Sequence, residues 1–266
     1  MMHSILLPER CRENSIPRPY GRGIKFCSIN KEDILRIIGS INQACENHGC
    51  SLVGGETSEQ PGVVPDEVFV LSSTVVGVVS KSKIIDGSRI RTGDKVIALR
   101  SNGLFTNGYA LIRKLIATKP DILNKKVEGI DFLDAVLKPH LAYYPYLKDI
   151  LGFDQIHGLA HITGDGIPGN LERILPDGLS ASISLRKIEI LPIFSVIKRE
   201  GGVPEEDMLA NYNLGVGMVM VAPREEVASL IRFLDEKGLH AYEIGDIIKD
   251  KDNTVKYYGT INWTEV

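Results

Sequence analysis

The sequence predicts an α/β fold in two parts. Three observations predict it. From Lys95 onward, apolar strand-like runs alternate with amphipathic helical ones. Before them lies a stretch rich in β-branched residues, "EVFVLSSTVVGVVSKSKII", over residues 67–85. Between the two, "DGSRIRTGD" is dense in turn residues and places a domain junction near Asp86.

In chain order, residues 1–28 carry Pro8, Pro17, Pro19 and several arginines with neither helical nor strand periodicity, so they form an atypical head. Asn30 can cap a helix with Glu32 and Asp33 in its first turn. Ile34, Ile37, Ile38, Ile41 and Cys45 then recur at helical spacing until Gly49. "CSLVGGE" reads as a short buried strand entering a glycine turn, and residues 67–85 as one long strand or two, with Gly77 marking a bend. The first domain is thus 29–85 and the second 86–266.

In the second domain "KVIALRS" is a strand, followed by a glycine and asparagine loop. A helix then turns Leu111, Ile112, Leu115 and Ile116 inward. "IHGLAHITGDGIPGNLERILP" repeats that logic. "LGVGMVMVAP" is a strand, "REEVASLIRFLDEKG" an amphipathic helix and "AYEIGDIIK" a closing strand.

The bulk properties narrow the function. A net charge of -3 argues against a nucleic-acid surface, which needs a basic excess. No apolar run is long enough to span a bilayer, and the first residues show no secretory signal. Cys11, Cys27, Cys45 and Cys50 have irregular spacing without C-x-x-C, which fits reduced thiols in a cytoplasmic protein.

Three loops carry the chemistry. In "GGETSEQPG", Gly54 and Gly55 allow close backbone approach to a ligand, and Glu56 offers a hard oxygen ligand to Mg²⁺. In "SNGLFTNGYAL", Asn102, Gly103, Thr106, Asn107 and Gly108 precede a helix, where backbone N–H groups favour anions. In "HITGDGIPGN", His161 is a candidate for proton transfer or phosphate contact, with Thr163, Gly164, Asp165, Gly166 and Asn170 after it. Each loop also reads as ordinary turn chemistry, with Thr106 or Asn107 as a helix cap and His161 as a structural histidine. "NYNLGVGM", with Asn211, Asn213, Gly215 and Gly217, is a fainter fourth candidate.

Taken in order, "LVGGETSEQPG", "SNGLFTNGYALIRKL", "HITGDGIPGNLERILPDG" and "NYNLGVGMVMVAP" resemble the phosphoribosylformylglycinamidine cyclo-ligases, or AIR synthetases, from about Asn30 to the C-terminus. The resemblance implies a two-domain fold, with the N-terminal ATP-binding and dimerisation domain incomplete here. It implies ATP-dependent closure of formylglycinamidine ribonucleotide to aminoimidazole ribonucleotide in purine biosynthesis, with ATP and Mg²⁺, in a cytoplasmic homodimer. His161 takes the catalytic role. Gly54, Gly55, Glu56, Thr57, Asn107, Gly108, Thr163, Gly164 and Gly166 take the ATP- and substrate-binding roles, and Glu56 also that of metal ligand. Selenophosphate synthetase, thiamine-monophosphate kinase and the hydrogenase-maturation dehydratase share the implied fold and ATP use, and fit the loops less well.

The chain departs from the family pattern in three places. Phe105 stands where many relatives have histidine, and Asp165 replaces the middle glycine of a triplet, adding a charge that repels phosphate unless a cation intervenes. The family's "DGVGTK" loop and "VND" motif have no counterpart in these residues. A one-base shift of frame over residues 9–23 can bring the head closer to the family, so a misread head is one expectation. Impaired turnover by this chain alone is another, with a nucleotide-binding or dimerising, catalytically inactive remnant as the alternative.

Overall fold

The computed structural model describes residues 23–26, 31–63 and 69–263. The chain divides into two compact units, Met1–Lys81 and Ser82–Val266.

The first unit holds β1 (Gly23–Phe26), α1 (Lys31–Asn47), β2 (Glu56–Glu59) and β3 (Phe69–Ser72). Its sheet has the order β2-β1-β3, with β1 parallel to β2 and antiparallel to β3. The expected helix forms, with Glu32 and Asp33 in its first turn, and the chain leaves it through Gly49 in the left-handed region. Its proposed cap, Asn30, lies outside the described residues. Cys45 is the buried residue of α1, while Leu35 and Ile38 are exposed.

Three expectations for this unit are corrected. The strand comes after the glycines, at Glu56–Glu59, because its backbone pairs residue for residue with β1. Part of the head is itself that partner, so it is not devoid of strand; the rest of residues 1–28 lies outside the described residues. Of residues 67–85, Phe69–Ser72 is strand and 73–80 is without ladder pairing among the described residues. Val70, Leu71, Val75, Val76 and Val78 are exposed along it.

The second unit contains β4 (Lys95–Arg100), α2 (Tyr109–Thr118), the small hairpin β5 (Lys126–Val127) and β6 (Ile130–Asp131), α3 (Phe132–Val136) and α4 (Tyr144–Leu147). It continues with β7 (Gly158–His161), α5 (Gly166–Leu171), β8 (Leu179–Ser184), α6 (Pro192–Gly201), α7 (Glu205–Asn211) and β9 (Val216–Ala222). It ends with α8 (Val227–Glu236), β10 (Ala241–Lys249) and β11 (Val255–Tyr258). Six strands form one sheet in the order β11-β8-β10-β4-β9-β7. The pairing is antiparallel except between β11 and β8. β10 is therefore not the closing strand, since β11 follows it and takes the sheet edge beyond β8.

The core lies against this sheet. Every residue of β9 is buried, as a continuous apolar run requires when both faces are covered. Val227, Leu230 and Leu234 bury one stripe of α8, and Ile112 and Leu115 that of α2. α6 starts with Pro192 at its first position and ends on left-handed Gly202, whose N–H reaches the carbonyls of Arg199 and Lys198. Among the described residues no helix is long and apolar enough to cross a membrane.

Candidate functional site

Strand register brings the second unit's loops together. Leu99 of β4 and His161 of β7 both pair with Met218 of β9. The loop after β4, the loop after β7 and the loop before β9 therefore open at one end of the sheet. The predicted residues divide between the units: Gly54, Gly55, Glu56 and Thr57 belong to the first, and Asn107, Gly108, His161, Thr163, Gly164 and Gly166 to the second.

A buried hydrogen-bond network joins two of these loops. Asn213, 1% exposed, donates from Nδ2 to the Gly103 carbonyl at 3.1 Å. Its Oδ1 accepts from Ser101 Oγ at 3.0 Å and from the Gly215 N–H at 2.9 Å. The Ser101 N–H donates to the Gly215 carbonyl at 2.8 Å. Both ends of the Asn213 amide are satisfied, so a polar group is buried without penalty and the loop geometry is fixed.

The "TNGY" turn is pinned from the same side. Asn107 Nδ2 donates to the Asn211 carbonyl at 2.6 Å. The cap of α2 is Gly108, not the expected Thr106 or Asn107; it is left-handed at φ 81° and makes no side-chain cap bond. Glycine is required there, since a Cβ would come within 2.3 Å of the Tyr212 ring. Gly164 faces this turn, its would-be Cβ 3.9 Å from that of Asn107, so these two predicted loops do meet.

The third loop wraps α5. Asn170 Nδ2 donates to the carbonyls of Gly164 and Gly166, each at 2.7 Å. Asp165 sits at φ 71° and pairs with Arg173 Nη2 at 2.8 Å. The Asp165 charge is thus paired with a cation from the chain itself. Its side chain fits because residue 169 is glycine: a Cβ at Gly169 would lie 2.4 Å from that of Asp165.

His161 is half-buried at the end of β7, within an aromatic cluster that sequence reasoning did not assemble. Its Nε2 lies 3.1 Å from His140 Nε2. Phe105 stacks on His140 with centroids 3.6 Å apart and an interplanar angle of 16°. Tyr143 meets Phe105 and His161 edge-on, at 6.4 and 6.2 Å. The Tyr143 hydroxyl donates to the Arg100 carbonyl at 2.9 Å, and burial pushes its ionisation well above the usual tyrosine range. Gly217 makes room for the cluster, since a Cβ there would reach 1.9 Å from the Tyr143 hydroxyl and 2.6 Å from the Phe105 ring. Phe105 itself carries no imidazole, and the ring it stacks on, His140, is the one that meets His161. The available signal was "PHLAYYPY", a histidine amid three tyrosines and two prolines at a helix approach.

In the first unit Glu56 opens β2 and is exposed, as are Gly54, Gly55 and Thr57. Alternation along the strand puts Glu56 and Glu59 on opposite faces. Gly54 is not left-handed, and a Cβ there would meet nothing within 4 Å in its own unit. Its role as a conformational glycine is thus not required by this backbone. Among the described residues no three His, Cys, Asp or Glu side chains cluster as a metal cage. One carboxylate suits Mg²⁺ held chiefly by phosphate oxygens and water, which is that ion's habit.

Residues 91–258 match the C-terminal domain of the AIR synthase related proteins, and residues 19–79 match their N-terminal domain. The chain belongs to the AIR synthase related protein family. The second match begins at residue 19, inside the head. A phosphoribosylformylglycinamidine cyclo-ligase of Acetivibrio thermocellus is 38% identical over 223 residues, 83% of this chain and 66% of that protein. One of Myxococcus xanthus is 40% identical over 225 residues, 82% of this chain and 64% of the relative. The chain thus spans slightly less than two thirds of the length of these relatives. In fold, it is similar to the hydrogenase maturation protein HypE in complex with ATP, at TM-score 0.61 and 18% identity, covering 89% of this chain and 68% of the other.

Proposed function

We propose that the chain carries out, within the longer protein its relatives represent, the ATP-dependent ring closure of formylglycinamidine ribonucleotide to aminoimidazole ribonucleotide in purine biosynthesis. The observation that carries the reading is the meeting of the Asn107–Gly108, Gly164 and Asn213 loops at one end of the sheet. The names of the relatives support the substrate, and the ATP complex of a protein with this fold supports ATP as the phosphoryl donor.

In this reading the γ-phosphoryl group passes to the formyl amide oxygen, the amidine nitrogen attacks that carbon, and phosphate leaves as a proton is lost. Backbone N–H groups of the Asn107–Gly108 and Thr163–Gly166 turns hold anionic oxygens, and Arg173 offsets the Asp165 charge beside them. His161 takes up the proton or holds the leaving phosphate. Glu56 ligates Mg²⁺, which when bound neutralises phosphate charge. Cytoplasmic location and a homodimer belong to the same reading. The exposed apolar run Val70–Val78 supports pairing with a second copy, since such a run beside a sheet edge favours association.

The test is ADP release and product formation from ATP and formylglycinamidine ribonucleotide. We expect substrate-dependent ADP release that His161→Ala abolishes, weak when the 266 residues are assayed alone. Release with thiamine monophosphate or selenide instead would overturn the substrate assignment. Binding of the ribonucleotide without any release would favour the non-catalytic alternative.

A further inference from the structure

The facing imidazoles define a relation that neither residue has alone. Two ring nitrogens 3.1 Å apart hold one hydrogen between them, so one donates and the other accepts. The tautomer of each ring is thereby tied to that of the other. His140 cannot turn freely out of this arrangement, because Phe105, 2% exposed, lies flat against it. Phe105 is in turn seated on Gly217. The chain β9, Phe105, His140, His161 thus runs from the rigid sheet to the imidazole at the loop mouth.

We propose that His140 is a positioning residue for His161, coupling the tautomer of His161 to its own and fixing the ring orientation through the Nε2–Nε2 hydrogen bond. The proposal rests on the reading that His161 serves the reaction described above. Geometry adds a second feature. The ring at position 140 lies 5.1 Å from His161 and the ring at position 105 lies 5.3 Å from it. Exchanging the phenyl and imidazole of the stack therefore keeps an imidazole at the same range from His161.

The test uses imidazole ¹⁵N NMR on the full 266-residue chain, with kcat and KM measured in parallel. Four proteins are compared: the unaltered chain, His140→Phe, His140→Gln and the exchange variant Phe105→His/His140→Phe. In the unaltered chain His161 and His140 are expected in complementary tautomers, with both Nε2 signals shifted by the shared hydrogen bond. His140→Phe keeps an aromatic stack but removes that shift from His161 Nε2, and kcat falls by roughly tenfold or more with KM little changed, as expected for a mis-set imidazole. His140→Gln, which retains a polar partner, and the exchange variant each restore the hydrogen-bonded shift. A His161 Nε2 without a hydrogen-bonded shift in the unaltered chain would overturn the proposal. So would a folded His140→Phe whose His161 signals are unchanged. If His140→Phe does not fold, failure of both other variants to show the hydrogen-bonded shift overturns it. Absence of turnover in all four proteins would count against the proposed reaction, while the NMR comparison still decides the imidazole pair.

Discussion

Two glycine loops of this chain look alike in sequence and differ in what holds them. "NGY" and "GGE" both hold a glycine that the sequence assigns to ligand binding. Gly108 is left-handed and pressed against Tyr212, while Gly54 is neither left-handed nor crowded within its unit. At Gly108 glycine is a packing requirement, and its loop is tied down by hydrogen bonds to residues 211 and 213. At Gly54 nothing in the local backbone demands glycine, so any demand there comes from a ligand or another chain. A glycine-rich motif therefore reports two different constraints, and substitution separates them.

The sharpest separation is Gly166→Ala. Gly166 combines φ 60° with a would-be Cβ 2.1 Å from the Leu209 carbonyl. Strain and overpacking together should cost on the order of 3–5 kcal/mol, read as a lowered urea midpoint or an insoluble product. Asn213→Ala comes next. It strips partners from Ser101, Gly103 and Gly215 in a buried site and should cost about 2–3 kcal/mol, with faster amide exchange over residues 101–108 as the local signature.

A gentler probe of the clamped unit is alkali. Burial pushes the Tyr212 and Tyr242 phenols up to about 12 each from the ordinary value near 10. The folded state thus binds protons that the unfolded state releases first. This contribution is whole below pH ~10 and is lost as pH rises through ~12. Tyrosinate absorbance and loss of circular dichroism should rise together over that window; ionisation without unfolding would show the rings to be accessible. The smallest effect belongs to Gly54→Ala, within ~0.5 kcal/mol in stability, as expected of an uncrowded site. A loss of ATP affinity without a loss of stability would place its constraint in the ligand. A cost above ~1 kcal/mol would erase the contrast drawn here.

Much of the second unit was legible because its elements are locally self-consistent. β9 is an uninterrupted apolar run and α8 a clean amphipathic helix, so period and propensity agree with the tertiary result. β2 was not legible at its true position. "ETSE" is polar and becomes strand through ladder bonds to residues 23–26, a partner no local pattern reveals. The direction of the large sheet was hidden too, since alternating strands and helices suggest parallel crossovers and nearly all neighbours here run antiparallel. At the site, His161 and the glycine turns stood out by composition. His140 did not, because its role depends on a contact across 21 residues and on a phenyl ring 35 residues upstream.

The strand order also has a consequence for synthesis. β4 is the first strand of its sheet to be made, yet it lies between β9 and β10, near the end of the chain. A nascent chain that has emerged only as far as α6 owns the central strand without either neighbour. Closure of the sheet must await residues 216–249, so the second unit matures only after its last strands have been made, and its apolar midline depends until then on chaperones or on a collapsed intermediate.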